Sequence, residues 1–186
     1  MLDFLKREAH RLNVSIISST VLDDPRFPTC SGAGGPEHHH YGDGGLLEHT
    51  LEVWNLMCST VSALCINLNH KELFLSAIFH DAGKMWDYEK RDGVWTTSPH
   101  KYIIHHIPRS AIVWSQALGT LCTQGIRRED PGFHDLFALE DAVLHNILSH
   151  HGRLEWRSPI EPQTRAAWLL HLCDMLSARM RDNNGK

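Results

Sequence analysis

The sequence predicts an all-α protein, a helical bundle with one small β-hairpin. Several segments carry apolar residues at the three- and four-residue spacing of amphipathic helices. Between two of them, aromatic residues surround an Asp92-Gly93 pair, which favours a tight turn and predicts a β-hairpin flap near 86–97. The chain has 186 residues, of which 42% are hydrophobic and 22% charged, so it is long enough to bury one core.

The amino-terminal part is expected to be a helix followed by an irregular segment. Apolar residues at helical spacing predict the helix over 2–12. Residues 23–45 hold three prolines and six glycines, and irregular segments of that length in compact domains are often functional. We therefore expect one domain over 1–186, with the helix and lead-in over 1–43 and the helical core over 44–182.

Five longer helices are expected to form that core. The first opens on a Gly44-Gly45 pair, and the third has Pro108 in its first turn, where proline is well tolerated. Gly152 is expected to end the fourth. The predicted ranges are 44–64, 71–81, 108–122, 135–149 and 162–181.

Composition and charge exclude some classes of function. No run of 18 apolar residues exists, so no membrane partner is expected. The formal net charge is −4 and there is no strongly basic face, so long nucleic acid is not an expected partner either. A small phosphorylated ligand is compatible with this charge because a bound metal ion supplies local positive charge. The oligomeric state stays open, because sequence does not separate exposed apolar helix faces from core.

The cysteines indicate a reducing, cytoplasmic environment. There are five, an odd number, and no C-x-x-C pair occurs. Four of them (Cys58, Cys65, Cys122 and Cys173) lie in apolar helical patterns. We therefore expect buried free thiols rather than disulfides.

Histidine and aspartate are placed at the ends of several predicted helices. His80-Asp81 closes one helix, and Asp174 lies among apolar residues of the last one, where an unpaired carboxylate would be costly. One histidine at a helix end has a simple explanation in the helix dipole. A set spread over five segments is harder to explain in that way: His49, His80-Asp81, His105-His106, His150-His151 and Asp174.

The donor types in this set indicate a transition-metal centre. Imidazole and carboxylate donors without thiolate suit Mn, Fe, Co, Ni or Zn. Six ligands exceed the number that one tetrahedral zinc uses, and they fit two divalent ions bridged by a carboxylate. Two such ions can activate water and stabilise both the attacking and leaving oxygens of a phosphoester.

Five phrases of the sequence resemble the HD-domain superfamily of metal-dependent phosphohydrolases. In chain order they are "HHYGDGGLLEHT", "FHDAGK", "HHIPRS", "ILSHHGRLEW" followed by Ser158-Pro159, and "LLHLCDMLSARM". The resemblance is strongest to the HD domain of YhaM-type 3′→5′ exoribonucleases and covers roughly residues 25–182. It implies an HD-domain helical bundle in which 44–182 form the metal-binding core.

The resemblance also implies roles for individual residues. Asp81 is expected to bridge the two metals, with His49, His80 and Asp174 on metal one. His106 and His150 are expected on metal two. His105 and His151 are rivals for those two places, or act as outer hydrogen-bond partners or as a proton donor to the leaving group.

Other residues near these motifs also have expected roles, and some of them have two alternatives. Lys84 is expected to steady the phosphate or the attacking water, and Arg109 either holds a phosphate oxygen or forms a surface ion pair. Glu48 either orients His49 or is one more exposed charge. His39, His40 and Tyr41 are expected at the mouth of the site. Trp86, Tyr88 and Trp95 either stack a base or pack against the domain, and His171 is expected in the core.

We therefore expect an enzyme that cleaves a phosphoester of a nucleotide, or of the end of a short oligonucleotide, by a metal-bound hydroxide. A 3′→5′ exoribonuclease-type phosphodiesterase is the nearest alternative. Only 48 residues precede His49, which we expect to be too few for the separate β-barrel domain of the larger exoribonucleases, and Ser177 stands where the related pattern often has aspartate. A di-iron oxygenase of the inositol-oxygenase type and a non-catalytic, metal-stabilised nucleotide-binding module are the remaining alternatives.

Overall fold

The fold is helical, with one two-stranded antiparallel sheet. A computed structural model describes residues 1–128, 130 and 133–179. Within these residues the helices are α1 Leu2–Arg11, α2 Ser15–Leu22, α3 Gly45–Ala63, α4 His70–Phe79, α5 Lys84–Asp87, α6 His100–Ile103, α7 His106–Thr123, α8 His134–Phe137, α9 Glu140–Ser149 and α10 Arg165–Arg179. The strands are β1 Tyr88–Arg91 and β2 Val94–Thr97.

Helix α4 lies at the centre of the bundle. It packs against α2, α3, α7, α9 and α10, and every residue over 73–79 is buried. Its aromatic side chains meet those of the flanking helices edge to face, with ring centroids 5.1 Å apart for Phe74 and Trp54 and 5.1 Å apart for Phe79 and Trp114. Because α4 is enclosed by apolar neighbours, its carboxyl-terminal end delivers the next two residues, His80 and Asp81, into the interior.

Two close approaches of the chain fix the irregular lead-in against α3. The carbonyl oxygen of His40 accepts a hydrogen bond from the Gly32 amide, 2.9 Å away. A Cβ on Gly45 would overlap that same carbonyl group, so only glycine fits at the start of α3. Gly44, the preceding residue, has a φ of +79°, which a glycine adopts without strain. The Gly-Gly pair therefore holds residues 32–40 close to the first turns of α3.

The predicted hairpin is confirmed. Arg91 pairs with Val94 at its tip, and the two connecting residues, Asp92 and Gly93, both have positive φ angles of 50° and 80°. Positive φ at both central positions is the geometry of a type I′ turn, which matches the right-handed twist of paired strands.

The structure differs from the predicted helices at several places. The helix predicted over 135–149 is two helices, α8 and α9, separated at Ala138–Leu139. The buried apolar residues keep the spacing of one continuous helix across this break, so the sequence pattern does not show it. These residues are Leu136, Leu139, Val143 and Ile147. Helix α2 and the short helices α5 and α6 were not predicted. The end predicted for the last helix, at 180–181, lies outside the described residues.

The predicted burial of the cysteines is only partly right. All five thiols are free, and Cys30 and Cys173 are buried. Cys58 is half-buried, whereas Cys65 and Cys122 are exposed because they lie at the carboxyl-terminal ends of α3 and α7, beyond the packed core. Among the helices of the described residues, none combines the length and apolar character that a membrane span needs.

Candidate metal centre

Five helices bring the predicted ligands to one place. His49 lies in the second turn of α3, and His80 and Asp81 follow the end of α4. His106 is the first residue of α7, and His150 directly follows α9. Asp174 lies in the third turn of α10, and every one of these six side chains is buried.

One group of donors surrounds a single oxygen of Asp81. His49 Nε2 lies 3.1 Å from Asp81 Oδ2 and 3.1 Å from Asp174 Oδ1, and His80 Nε2 lies 3.4 Å from the same Asp81 oxygen. Donors bound at about 2.1 Å to one metal are separated by about 3.0–3.4 Å at octahedral or tetrahedral angles. The separations of this first cluster (His49, His80, Asp81 Oδ2 and Asp174) therefore match those of ligands that share one ion.

A second group lies on the other oxygen of Asp81. Asp81 Oδ1 is 3.5 Å from His106 Nε2 and 3.6 Å from His150 Nε2. His151 Nε2 is 3.3 Å from His106 Nε2, so it joins the same group. We call Asp81 Oδ1, His106, His150 and His151 the second cluster. Asp81 faces each cluster with a different oxygen, which is the arrangement of a bridging carboxylate.

Hydrogen bonds on the far side of each ring fix the direction of the histidines. The Nδ1 atoms of His80 and His150 lie 2.9 Å and 2.7 Å from the carbonyl oxygens of Ala77 and Ile147. A carbonyl only accepts, so each Nδ1 carries the proton and each Nε2 presents a lone pair to the cluster. Backbone or carboxylate partners of this kind are typical of metal-binding histidines.

The other three rings are held in the same way, by residues that the sequence analysis did not identify. His106 donates from Nδ1 to the buried carboxylate of Asp87 at 3.1 Å. His49 Nδ1 lies 3.0 Å from the Ser177 hydroxyl, which donates to Glu52 at 3.0 Å. His151 Nδ1 lies 2.7 Å from the carbonyl oxygen of Trp156. Glu52 follows His49 by three residues on one helix face, a spacing that could have identified it.

Three polar atoms at the centre of the site have no hydrogen-bond partner among the described residues. They are both carboxylate oxygens of Asp81 and Nε2 of His150, all of them buried. Asp81 Oδ2 has the ammonium group of Lys84 beside it at 2.6 Å, whereas Asp81 Oδ1 has no such close cation in the part of the chain that the structure describes. A buried carboxylate oxygen without a partner costs free energy unless a cation lies against it. The donor set and these three atoms therefore fit divalent metal ions.

The electrostatics of the site favour ionised acids and neutral imidazoles. Burial would raise the pKa of Asp81, but the positive charge of Lys84 and the surrounding imidazole groups outweigh it and hold that pKa well below its usual value. Burial lowers the pKa of His106 well below its usual range and lowers the pKa of His151 to about 4. His49 is the exception: burial favours its neutral form, but hydrogen bonds to Asp174 and Asp81 raise its pKa.

Lys84 is placed at the centre rather than at the surface. Its Nζ lies 2.6 Å from Asp81 Oδ2, and its side chain is largely buried. Burial alone would lower the pKa of Lys84, but the nearby carboxylate of Asp81 outweighs it and raises that pKa. Lys84 is therefore a fixed positive charge beside the carboxylate that both clusters share.

Arg109 does not reach the cavity. Its Nε donates to His100 Nε2 at 3.0 Å, and its guanidinium lies 5.2 Å from the centre of the Trp86 ring. His100 in turn lies 2.7 Å from Asp87, the residue that orients His106. Arg109 was expected either to hold a phosphate oxygen or to form a surface ion pair. In the structure it contacts His100 and Trp86 and is not among the residues that line the cavity, so its contact with a phosphate oxygen stays a prediction.

A cavity of about 480 Å³ opens onto the clusters. His49, Lys84, His106 and His151 contribute to its floor, and residues 32–40 of the lead-in form one wall. Tyr88 and Thr97 of the hairpin, Lys101 and His105 complete it. As expected, His39 and His40 lie in this wall, but Tyr41 is not among its residues and donates to the Trp95 carbonyl oxygen instead.

All three aromatic residues predicted on the hairpin have partners within the protein, and one of them, Trp86, lies in α5 rather than on a strand. The hydroxyl group of Tyr88 accepts a hydrogen bond from Lys101 Nζ at 3.1 Å. Trp86 lies under the guanidinium of Arg26, 4.0 Å from its ring centre, and Trp95 donates from Nε1 to Asp43 at 2.6 Å. Only Tyr88 lines the cavity. His171 is buried, as expected, and its Nδ1 lies 2.8 Å from the carbonyl oxygen of His150.

Comparisons with known proteins agree with this picture. The family model described as "HD domain" matches residues 46–179. The chain is 31% identical over 144 residues to the 3′-5′ exoribonuclease YhaM of Geobacillus sp. (strain WCH70), a match that covers 77% of this chain and 40% of that protein. It is 30% identical over 146 residues to the YhaM of Bacillus subtilis (strain 168), covering 77% of this chain and 41% of the relative.

A longer match extends further along the chain. The YhaM of Shouchella clausii (strain KSM-K16) is 27% identical over 173 residues, which are 93% of this chain and 50% of that protein. The chain thus spans half or less of the length of these relatives. No solved structure gives a significant match. The resemblance predicted from the motifs is confirmed, and with it the helical fold and the assignment to a family of hydrolases.

Proposed function

Because this chain belongs to the HD domain family, we propose that it is a divalent-metal-dependent phosphohydrolase that cleaves a phosphoester of a nucleotide or of the end of a short oligonucleotide. The observation that carries the proposal is the position of Asp81, whose two oxygens face separate clusters of imidazole and carboxylate donors. Divalent ions held by these donors would supply an activated water and charge stabilisation at phosphorus.

The chain's own residues prepare the site for an anionic substrate. Lys84 holds its ammonium group at the cavity floor beside Asp81, where it can also contact a phosphoryl oxygen. Burial lowers the pKa of His151 to about 4, which favours its neutral form, and a hydrogen bond from its Nδ1 to the Trp156 carbonyl oxygen leaves a lone pair on Nε2. This tautomer suits His151 as a metal ligand or proton acceptor rather than as the proton donor.

The size and lining of the cavity favour a small substrate. Its volume of about 480 Å³ lies within the usual range of small-molecule sites and is enclosed by the lead-in and the hairpin. The cavity has a basic lining that includes Lys84, Lys101 and several histidines, although the chain as a whole is acidic, with a net charge of −4. We infer that the protein takes one nucleotide or chain end at a time and does not bind along long nucleic acid.

The names of the relatives favour a second candidate, a 3′→5′ exoribonuclease-type phosphodiesterase. Because the chain spans 40–41% of those two proteins, their whole activity is a proposal here. RNA oligonucleotides labelled at the 5′ end would separate the two candidates. Stepwise shortening of RNA supports the exoribonuclease, and release of phosphate from mononucleotides alone supports the nucleotide phosphohydrolase.

The test is a substrate screen with matched variants. Purified protein is given Mn²⁺, Co²⁺, Ni²⁺, Zn²⁺ or Fe²⁺ together with nucleotides, dinucleotides and short RNA. We expect turnover by the wild type and by His134→Ala, which changes a side chain that is 79% exposed on α8, and none by Asp81→Asn. Equal activity of Asp81→Asn and wild type would overturn the proposal.

The same preparation also tests the two remaining alternatives. Oxygen uptake that requires iron, without phosphoester cleavage, would indicate the oxygenase. Nucleotide binding without any turnover would indicate the non-catalytic module. Either outcome contradicts a phosphohydrolase.

A further inference from the structure

Next to the first cluster, the lead-in brings two more histidines against a carboxylate of α3. His40 Nε2 lies 3.0 Å from Glu52 Oε2, and His39 Nε2 lies 3.7 Å from the same oxygen. One ligand atom from each of the three residues falls within 4.8 Å of the others. The 3.0 Å separation of His40 from Glu52 matches those within the first cluster, where Asp81 Oδ2 lies 3.1 Å and 3.4 Å from two histidine nitrogens, and the 3.7 Å separation of His39 is slightly longer.

The backbone of His40 is held in an unfavourable conformation. His40 has a φ of +62°, a left-handed conformation that residues with a side chain seldom adopt. The hydrogen bond from Gly32 to the His40 carbonyl and the tight packing of Gly45 against that carbonyl hold it there. Strain that is maintained by surrounding contacts is characteristic of functional sites.

One of the two rings also has an unsatisfied nitrogen. His39 Nε2 is buried and has no hydrogen-bond partner among the described residues. The side chain of His39 is 14% exposed, so solvent has little access to that ring. A cation shared with His40 and Glu52 would satisfy the nitrogen, because a neutral imidazole offers a lone pair at short range.

We propose that His39, His40 and Glu52 form a further divalent-metal site, separate from the two clusters that share Asp81. Its two nitrogen donors and one oxygen donor suit the same transition metals, Mn, Fe, Co, Ni or Zn. His39 and His40 line the same cavity as Lys84 and His151. A cation at this wall would lie in the cavity that, under the proposed function, binds the phosphoester substrate.

This site is also connected to the first cluster through one serine. Ser177 donates to Glu52 and lies 3.0 Å from His49 Nδ1. Changing Glu52 would therefore disturb His49 as well, whereas changing His39 leaves that connection intact. For this reason the His39 variant is the cleaner probe of the site.

The test measures metal content, which does not depend on the reaction proposed above. Wild type, His39→Gln and His38→Gln are equilibrated with Mn²⁺ or Co²⁺, freed of loosely bound ions, and assayed by plasma mass spectrometry. His38 is the matched control, because it lies in the same segment with its Nε2 3.1 Å from Glu37 Oε1. We expect His39→Gln to hold one equivalent per chain less than the wild type, and His38→Gln to hold the same amount as the wild type.

Three further variants complete the test. Asp81→Asn should retain the equivalent that the double variant Asp81→Asn/His39→Gln loses, which shows a site independent of Asp81. Glu52→Gln serves as a second probe if His39→Gln does not fold, as judged by circular dichroism. Equal metal content in the wild type and in each folded variant of this site would overturn the proposal, whatever the enzyme assays show.

Discussion

Asp87 provides a direct test of how the second cluster is built, because it is not among the residues that line the cavity at the clusters and yet it orients the candidate ligand His106. Its carboxylate is fully buried and accepts three hydrogen bonds: one from the backbone amide of His106 at 3.0 Å, one from His106 Nδ1 at 3.1 Å, and one from His100 Nδ1 at 2.7 Å. In Asp87→Asn, one of the two oxygens becomes an amide group that cannot accept. At least one of these donors therefore loses its partner, and His106 loses a negative charge that fixes its tautomer.

The size of the effect follows from these contacts. Leaving a buried donor unpaired costs about 1–3 kcal/mol, which in a chain of this length lowers the melting temperature by roughly 2–12 °C. Loss of an outer partner of a metal-binding histidine weakens metal affinity by about 10–100-fold. We therefore expect Asp87→Asn to show both changes, with reduced activity that excess metal partly restores.

The assay is competition between the protein and a fluorescent chelator for Mn²⁺ or Co²⁺, with thermal melting followed in parallel. Asp135→Asn is the matched control, because that carboxylate is 76% exposed on α8 and should leave both values unchanged. If Asp87→Asn binds metal as tightly as the wild type does, His106 is not a ligand oriented by Asp87, and the reasoning for the second cluster is wrong.

Three further predictions concern other parts of the molecule. Lys84→Met should lower kcat by roughly 10²-fold with metal content unchanged, because the charge beside Asp81 is lost while the metal-binding side chains remain. An unchanged kcat in steady-state assays would contradict this role of Lys84. Gly152→Ala should lower the melting temperature by several degrees, since Gly152 has a φ of +82° and its Cβ would overlap the His171 ring; a melting curve like that of the wild type would contradict it. At pH 7.5 a thiol reagent should modify the exposed Cys65 and Cys122 quickly and Cys30 slowly, because burial raises the pKa of Cys30 to about 12 and leaves little thiolate; fast labelling of Cys30, read by mass spectrometry, would contradict it.

The sequence alone indicates the candidate ligands, because the residue types and their order along the chain carry the information. His80-Asp81 at a helix end and Asp174 in an apolar helix are visible without coordinates, since a buried acid needs a partner. The hairpin was predictable for a similar local reason, because Asp-Gly suits a turn with two positive φ angles.

The residues that orient those ligands could not be predicted in the same way. Asp87 meets His106 across 19 positions, and Ser177 meets His49 across 128, so only the packing of separate helices brings them together. Arg109 shows the opposite limit: its place after "HHIP" suggested a phosphate contact, but the stacking on Trp86 and the bond to His100 turn it away from the cavity. The break between α8 and α9 escaped detection because apolar spacing continues through it.

The most direct measurement is anomalous X-ray scattering from crystals grown with Mn²⁺, collected on both sides of the manganese absorption edge. Two anomalous peaks should appear about the Asp81 carboxylate, one within bonding distance of Oδ2 and the first cluster, the other within bonding distance of Oδ1 and the second. If the crystallised protein has bound Mn²⁺ and yet no anomalous peak lies within bonding distance of Asp81, the proposed metal centre is contradicted.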